Sequence, residues 1–160
     1  MVADTGPIIA FARIGRLDLL YQVAGDLIIP EAVYEELVAK GSQRPGAAEV
    51  ERAEWLHRRT ITDQTTIATL PPTLHLGERQ AILLARELGV GLLIDERRGR
   101  TVAEERGVEV FGSLWILAEA KQRGFIAQVK PFVAAILAAE YWIDEELLLP
   151  FFQELGEGNT

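Results

Sequence analysis

The sequence predicts an α/β protein with a central parallel sheet of four to five strands, flanked by helices and extended by extra helices in its C-terminal third. Three observations carry this. Short apolar runs alternate with amphipathic stretches along the chain. Two of those runs, Val2-Ala3 and Leu92-Leu93-Ile94, stop directly at an aspartate. With 160 residues, 49% hydrophobic and 25% charged, the chain is long enough to bury one core.

The elements follow in order. Val2-Ala3 opens the first strand, and Asp4-Thr5-Gly6-Pro7 turns it into a helix, because Thr5 can cap and Pro7 fits a first turn. Helical patterning runs over 8–13 and, after Gly15, over 17–23. Residues 27–29 form the second strand and 31–40 a helix that starts after Pro30. A loop over 41–46 leads to a helix over 47–56 and an edge strand over 59–62. Residues 63–76, with Pro71-Pro72 and several threonines, read as a long loop. Then come a helix over 77–88, a buried strand over 91–94, a helix over 97–106 and a short strand over 108–110. Ser113 is placed to cap a helix over 113–121, and two helices follow over 128–139 and 144–155. The expected organisation is one domain over 1–155, with core motifs in 1–125, C-terminal helices in 126–155 and a flexible tail over 156–160.

Composition narrows the chemistry. There is no cysteine, so disulfides, zinc–thiolate sites and thiol nucleophiles are excluded. No stretch approaches the ~18 apolar residues of a membrane span. The expectation is a soluble, cytoplasmic protein without a membrane role. A net charge of -8 argues against coating nucleic acid by bulk electrostatics, but permits a local basic strip. There is no P-loop motif, no Gly-x-Gly-x-x-Gly and no Asp-x-Asp after the first strand.

In an open parallel sheet, ligands bind beyond the carboxyl ends of the strands. Asp4 and Asp95 both sit there, facing one crevice if the first and fourth strands are neighbours. The bland reading of either is a helix cap or turn residue. Helical facing then ranks the glutamates. With Val33 at the centre of the buried stripe, Leu37 lies about 40° away, Glu36 about 60° to the other side and Glu35 about 160° off. Glu36 therefore borders the core and Glu35 faces water. Glu78 shares a face with Ala81, Ile82 and Ala85, whereas Glu87 lies about half a turn away. Buried carboxylates are costly unless paired, hydrogen-bonded or bound to metal. All-oxygen ligation suits Mg²⁺ or Mn²⁺ and the hydrolysis of phosphodiesters.

Four segments resemble a prokaryotic, VapC-like branch of the PIN-domain family: Val-Ala-Asp-Thr-Gly-Pro from Val2, Ile-Ile-Pro-Glu-Ala-Val-Tyr-Glu-Glu-Leu from Ile28, Leu-Gly-Glu-Arg-Gln-Ala-Ile from Leu76, and Leu-Leu-Ile-Asp-Glu-Arg-Arg-Gly-Arg from Leu92. The resemblance covers about 1–125 and implies a single PIN-like domain with Mg²⁺- or Mn²⁺-dependent cleavage of RNA. By that resemblance Asp4, Glu36, Glu78 and Asp95 are the catalytic and metal-binding acids, Glu96 is the alternative to Asp95, and Thr5 is the small hydroxyl residue that supports the site. Glu78 stands where many members of the family carry aspartate.

Arg97, Arg98 and Arg100 crowd the first turn of a helix, where the dipole disfavours cations, so an anion is expected there and the three are the candidate contacts to an RNA backbone. The alternative is a solvated turn or pairing with Glu104 and Glu105. Arg13 and Arg16 are weaker candidates, and His57 and His75 are expected at the surface or in packing. Phe151 and Phe152 cannot both face inward on one helix, which points to a homodimer or a partner surface. The functional expectation is a ribonuclease of the metal-dependent class, in one form the toxin of a toxin–antitoxin pair covered by an antitoxin protein. The alternative is a catalytically weak RNA-binding or regulatory PIN-like module.

Overall fold

The structure is a computed structural model that describes residues 1–40 and 43–158. Five short strands, β1 (Val2–Ala3), β2 (Leu27–Ile29), β3 (Leu56–Arg58), β4 (Leu92–Leu93) and β5 (Val110–Phe111), form one sheet in the order β3-β2-β1-β4-β5. Every pairing is parallel. The order reverses at β1: the chain builds outward to β3, returns to the other side of β1 with β4, and ends at β5. That reversal is where an open α/β sheet leaves a crevice.

Alternation along the strands sorts the core. Ala3, Leu27, Ile29 and Leu93 face one layer, with α1 (Thr5–Arg13), α2 (Leu17–Ala24), α7 (Ser113–Gln122) and α8 (Lys130–Ala138) packed upon it. Val2, Leu92 and Ile94 face the other, against α5 (Leu76–Leu88) and α6 (Arg97–Glu105). Both faces of the sheet are thus covered, which is why its strands read as continuous apolar runs. The remaining helices are α3 (Glu31–Tyr34), α4 (Ala47–Arg52) and α9 (Glu145–Glu154).

Several boundaries differ from the sequence reading for identifiable reasons. The edge strand is Leu56–Arg58 rather than 59–62, and the preceding helix stops at Arg52. Leu56 pairs with Leu27 and the Trp55 carbonyl accepts from Leu27 N–H, while the β-branched 60–62 stretch lies just past the ladder. Strand β5 starts two residues late because Val108 belongs to the stop of α6. Gly107, at φ +78, lets Val108 N–H reach the Ala103 carbonyl (2.9 Å) and its own N–H reach the Glu104 carbonyl (3.0 Å). The loop over 63–76 contains a 3₁₀ segment, Gln64–Thr69, started by the Asp63 side chain accepting from Thr65 N–H. The 31–40 helix changes at Glu35–Ala39 into a π-helical turn, with Lys40 N–H reaching the Glu35 carbonyl. In the 41–46 loop, Gly41 and Ser42 lie outside the described residues.

Beyond α9, the chain is anchored at Glu157. Its side chain is 6% exposed, pairs with Lys121 Nζ (2.7 Å) and accepts from the N–H groups of Val129 and Lys130 at the start of α8. Of the tail expected to be flexible, Asn159 and Thr160 lie outside the described residues. Phe151 and Phe152 are both half-buried against the core, and Phe152 also lies under Lys130 Nζ. The exposed large apolar groups of the C-terminal helices and their connection are instead Leu137, Trp142, Leu147 and Leu149. No helix among the described residues is long and apolar enough to cross a membrane.

Candidate active site

Parallel pairing of β1 with β4 sets Ala3 opposite Leu93, and Asp4 N–H bonds to the Leu93 carbonyl at 2.9 Å. Asp4 and Asp95 therefore leave neighbouring strands at the same end of the sheet, at the reversal of strand order. Helix α5 brings Glu78 to that end in its first turn, and the π-helical turn brings Glu36. The inserted residue of a π turn rotates the face that follows it, a feature frequent at functional sites. Glu36 is half-buried here and Glu35 exposed, while Glu78 is only 8% exposed.

The electrostatics show the convergence. Burial raises the Asp4 carboxyl from 3.8 to about 7, opposed by the Thr5 backbone N–H and reinforced by Glu78, Glu36 and Asp95. Glu78 is raised from 4.5 to about 7, first by burial, then by Glu96 and Glu36, with partial relief from the His75 backbone. A Cβ at Gly99 would lie 3.3 Å from Glu78 Oε2 and 3.4 Å from Glu96 Oε2, so these two carboxyl groups meet over the start of α6.

The two acids after β4 already have partners. Asp95 accepts from Ser113 N–H (2.7 Å), from Ser113 Oγ (2.6 Å) and from the Tyr141 hydroxyl (2.5 Å). It caps α7 from outside, and Ser113 spends its hydroxyl on Asp95 rather than on the helix, whose cap is Gly112. Glu96 caps α6, accepting from Arg98 N–H and Gly99 N–H. That first turn consequently does not offer those two groups to a phosphate, against the sequence expectation.

The three arginines diverge. Arg97 is exposed and pairs with Asp144, not with Glu104 or Glu105. Arg98 is exposed at the mouth of α6. Arg100 folds inward, its Nη1 donating to the Ile94 carbonyl at 2.7 Å. Arg13 holds the carbonyls of Ala139 and Glu140, and Arg16 pairs with Asp18. His57 bonds to Asp26 at the β2–β3 side of the sheet, and His75 is the cap residue of α5.

Sequence reasoning missed Tyr141. It lies between α8 and α9, a segment without periodicity, and its role depends on contacts 46 residues away. Its only trace in the sequence is indirect: Gly6, beside Asp4, where a Cβ would come within 2.7 Å of the Tyr141 hydroxyl oxygen. A crevice of about 550 Å³ opens on the Asp95 side of Asp4, lined by Asp4, Gly6, Asp95, Glu96, Tyr141 and Trp142 among others, whereas Glu36 and Glu78 lie outside its lining.

The donor set fits a hard divalent cation. Thr5 Oγ1 is buried beside Asp4 without a hydrogen-bond partner. A Cβ at Gly77 would fall 3.7 Å from Glu36 Oε1 and 3.9 Å from Asp4 Oδ1, so the glycine leaves open the space these oxygens border. The acids are near but not gathered: among the described residues, no group of three acidic or histidine side chains shares one ligating position.

A solved structure of a PilT N-terminus domain protein from the hyperthermophilic archaeon Sulfolobus solfataricus P2 has the same fold, with a TM-score of 0.51 at 22% identity over 74% of this chain and 92% of that one. No curated protein matches the chain. The family model DUF3368, a PIN domain, matches residues 1–157. Over nearly its whole length, then, the chain belongs to the PIN-domain family, whose members are generally nucleases and usually bind divalent metal ions.

Proposed function

We propose that this protein is an endoribonuclease dependent on Mg²⁺ or Mn²⁺, with Asp4, Glu36 and Glu78 as its primary acids and Asp95 or Glu96 completing the set. The observation that carries this reading is the pair of buried carboxyls, Asp4 and Glu78, 7% and 8% exposed, brought together at the reversal of strand order beside Glu36. Packing keeps them where ionisation is penalised, a penalty that a bound cation removes.

Asp4 is fixed by the end of β1 and Glu78 by the first turn of α5, so neither depends on a mobile loop for its position. Near neutral pH the pair is partly protonated, and a cation bound there would favour the ionised forms. When bound, the cation would polarise the phosphodiester and offset the charge that develops on the attacking and leaving oxygens. Exposed Arg98 stands where it can meet an RNA backbone passing the β4 end of the sheet. In the toxin form of this reading, a small antitoxin protein would cover the apolar rim formed by Trp142 and Leu147, 66% and 55% exposed.

One observation favours a second reading, a PIN-like module that binds RNA and cleaves it weakly: the Asp95 carboxylate is engaged by three hydrogen bonds from Ser113 and Tyr141. Asp4→Asn separates the two. Cleavage of single-stranded and structured RNA with Mn²⁺ should be present in the native protein and lost in this variant, with an unchanged circular dichroism spectrum. Cleavage retained in the variant would remove Asp4 from the reaction, and absence of cleavage in the native protein would leave the binding module.

A further inference from the structure

Residues 139–144 form a strap along the Asp4–Asp95 crevice, with Tyr141, Trp142 and Asp144 in its lining. At one end Arg13 Nη1 holds the carbonyls of Ala139 (3.2 Å) and Glu140 (3.4 Å); at the other, Asp144 both pairs with Arg97 and caps α9. Between them Ile143 is buried and Trp142 is 66% exposed. Glu140 has φ +61, the only non-glycine residue with positive φ among the described residues. Side chains other than glycine adopt this region at a cost, so the closed strap holds a conformation that its release would relieve.

Tyr141 is the part of the strap that enters the pocket. Its hydroxyl donates to Asp95 Oδ2 at 2.5 Å, and it lies close enough to Asp4 for the two to interact electrostatically. It approaches over Gly6, which presents no side chain to stop it. Oδ2 of Asp95 also accepts from Ser113 Oγ, and Oδ1 accepts from Ser113 N–H. A carboxylate oxygen has about two acceptor directions, so Oδ2 is filled while the phenol is in place. Resting on the reading of this crevice as a cation site, we propose that Tyr141 is its gate: the phenol occupies the room beside Asp4 and Asp95 that a divalent cation requires, so cation binding and strap closure exclude each other.

The clamps suit a gate. The Arg97–Asp144 pair has one partner 76% exposed, and such pairs add little and are screened by salt. Release breaks no strand pairing, since the strap lies between α8 and α9, and it withdraws Ile143 from the core and Tyr141 N–H from the Ile136 carbonyl.

The test is Mg²⁺ binding by titration calorimetry on the full chain. Tyr141→Phe keeps the ring and removes the hydroxyl that fills Oδ2; Gly6→Ala, in the first turn of α1, displaces the phenol and leaves both aspartates untouched. Each should tighten Mg²⁺ binding about fivefold or more, and Mg²⁺ should increase proteolytic nicking of the native protein within 139–144. Native-like or weaker binding in both variants, with the native protein binding Mg²⁺, overturns the gate alone and leaves the cation site standing. No Mg²⁺ binding by the native protein or by either variant overturns the gate together with the site.

Discussion

Asp4 and Glu78 carry a pH signature whose sign follows from burial. Their folded values, both about 7, lie above the ordinary 3.8 and 4.5, so the fold favours their neutral forms. The stability they contribute is complete below those ordinary values and is lost as pH rises through about 7. The melting temperature of the metal-free protein should therefore fall between about pH 4 and pH 7 and level off above, and added Mg²⁺ should restore it most at the upper end. Glu78→Gln should flatten part of that fall in a fluorimetric melting series; a native curve already flat across the window would show that both carboxyls ionise without penalty. Facing arithmetic alone separated Glu36 from Glu35 and marked Glu78 as inward, since a helix converts spacing into direction. Nothing comparable was available for Tyr141, which reaches its partner from an irregular segment.

The helices and strands were legible where one residue both ends an element and serves another. Asp4 and Asp95 could be placed at strand ends because apolar runs stop at them. That Asp95 would cap α7 was not legible, since the partnership with Ser113 spans 18 residues and depends on β5 lying beside β4. Edge strands were the least readable: β3 buries little, so its alternation is faint, and β5 gives up Val108 to the stop of α6. The Glu157 anchor makes a prediction at this level. Burial alone would raise its carboxyl, but Lys121 and the N–H groups of Val129 and Lys130 outweigh that and hold it below the ordinary range. Its contribution is thus present above the ordinary carboxylate range and is lost in acid. Glu157→Ala should destabilise the protein by about 1–3 kcal/mol in urea unfolding at neutral pH, because it strands Lys121 and uncaps α8. An unchanged midpoint would show the anchor to be dispensable.

For the molecule as a whole, a net charge of -8 means that RNA, on the proposed reading, would have to be held by a local strip against an unfavourable general field. With Arg97 paired to Asp144 and Arg100 bonded to the Ile94 carbonyl, Arg98 is the member of the proposed strip left to carry such a contact. Arg98→Ala should weaken RNA binding and reduce the magnitude of the salt slope by about 0.7, the value for one contact to a single strand. An unchanged slope, read by fluorescence anisotropy across a salt series, would remove Arg98 from the RNA path. The parallel α/β class could be read from the alternation of the elements, but the neighbours of β1 could not, because strand order arises from packing and not from local pattern.

That order also sets when the site can come into being. Val2 must find Leu92 before Asp4 and Asp95 lie side by side, a contact far more distant along the chain than the pairing of Val2 with Ile28. Closing so long a loop is a slow step in folding, and contacts of this kind form after local ones. Helices α1 and α2 share their core layer with α7 and α8, so the half carrying Asp4 and Glu36 leaves both that layer and the acid pocket incomplete. The acid pocket is therefore not assembled until the second half of the sheet has been added, and damage to the β1–β4 seam should delay its formation.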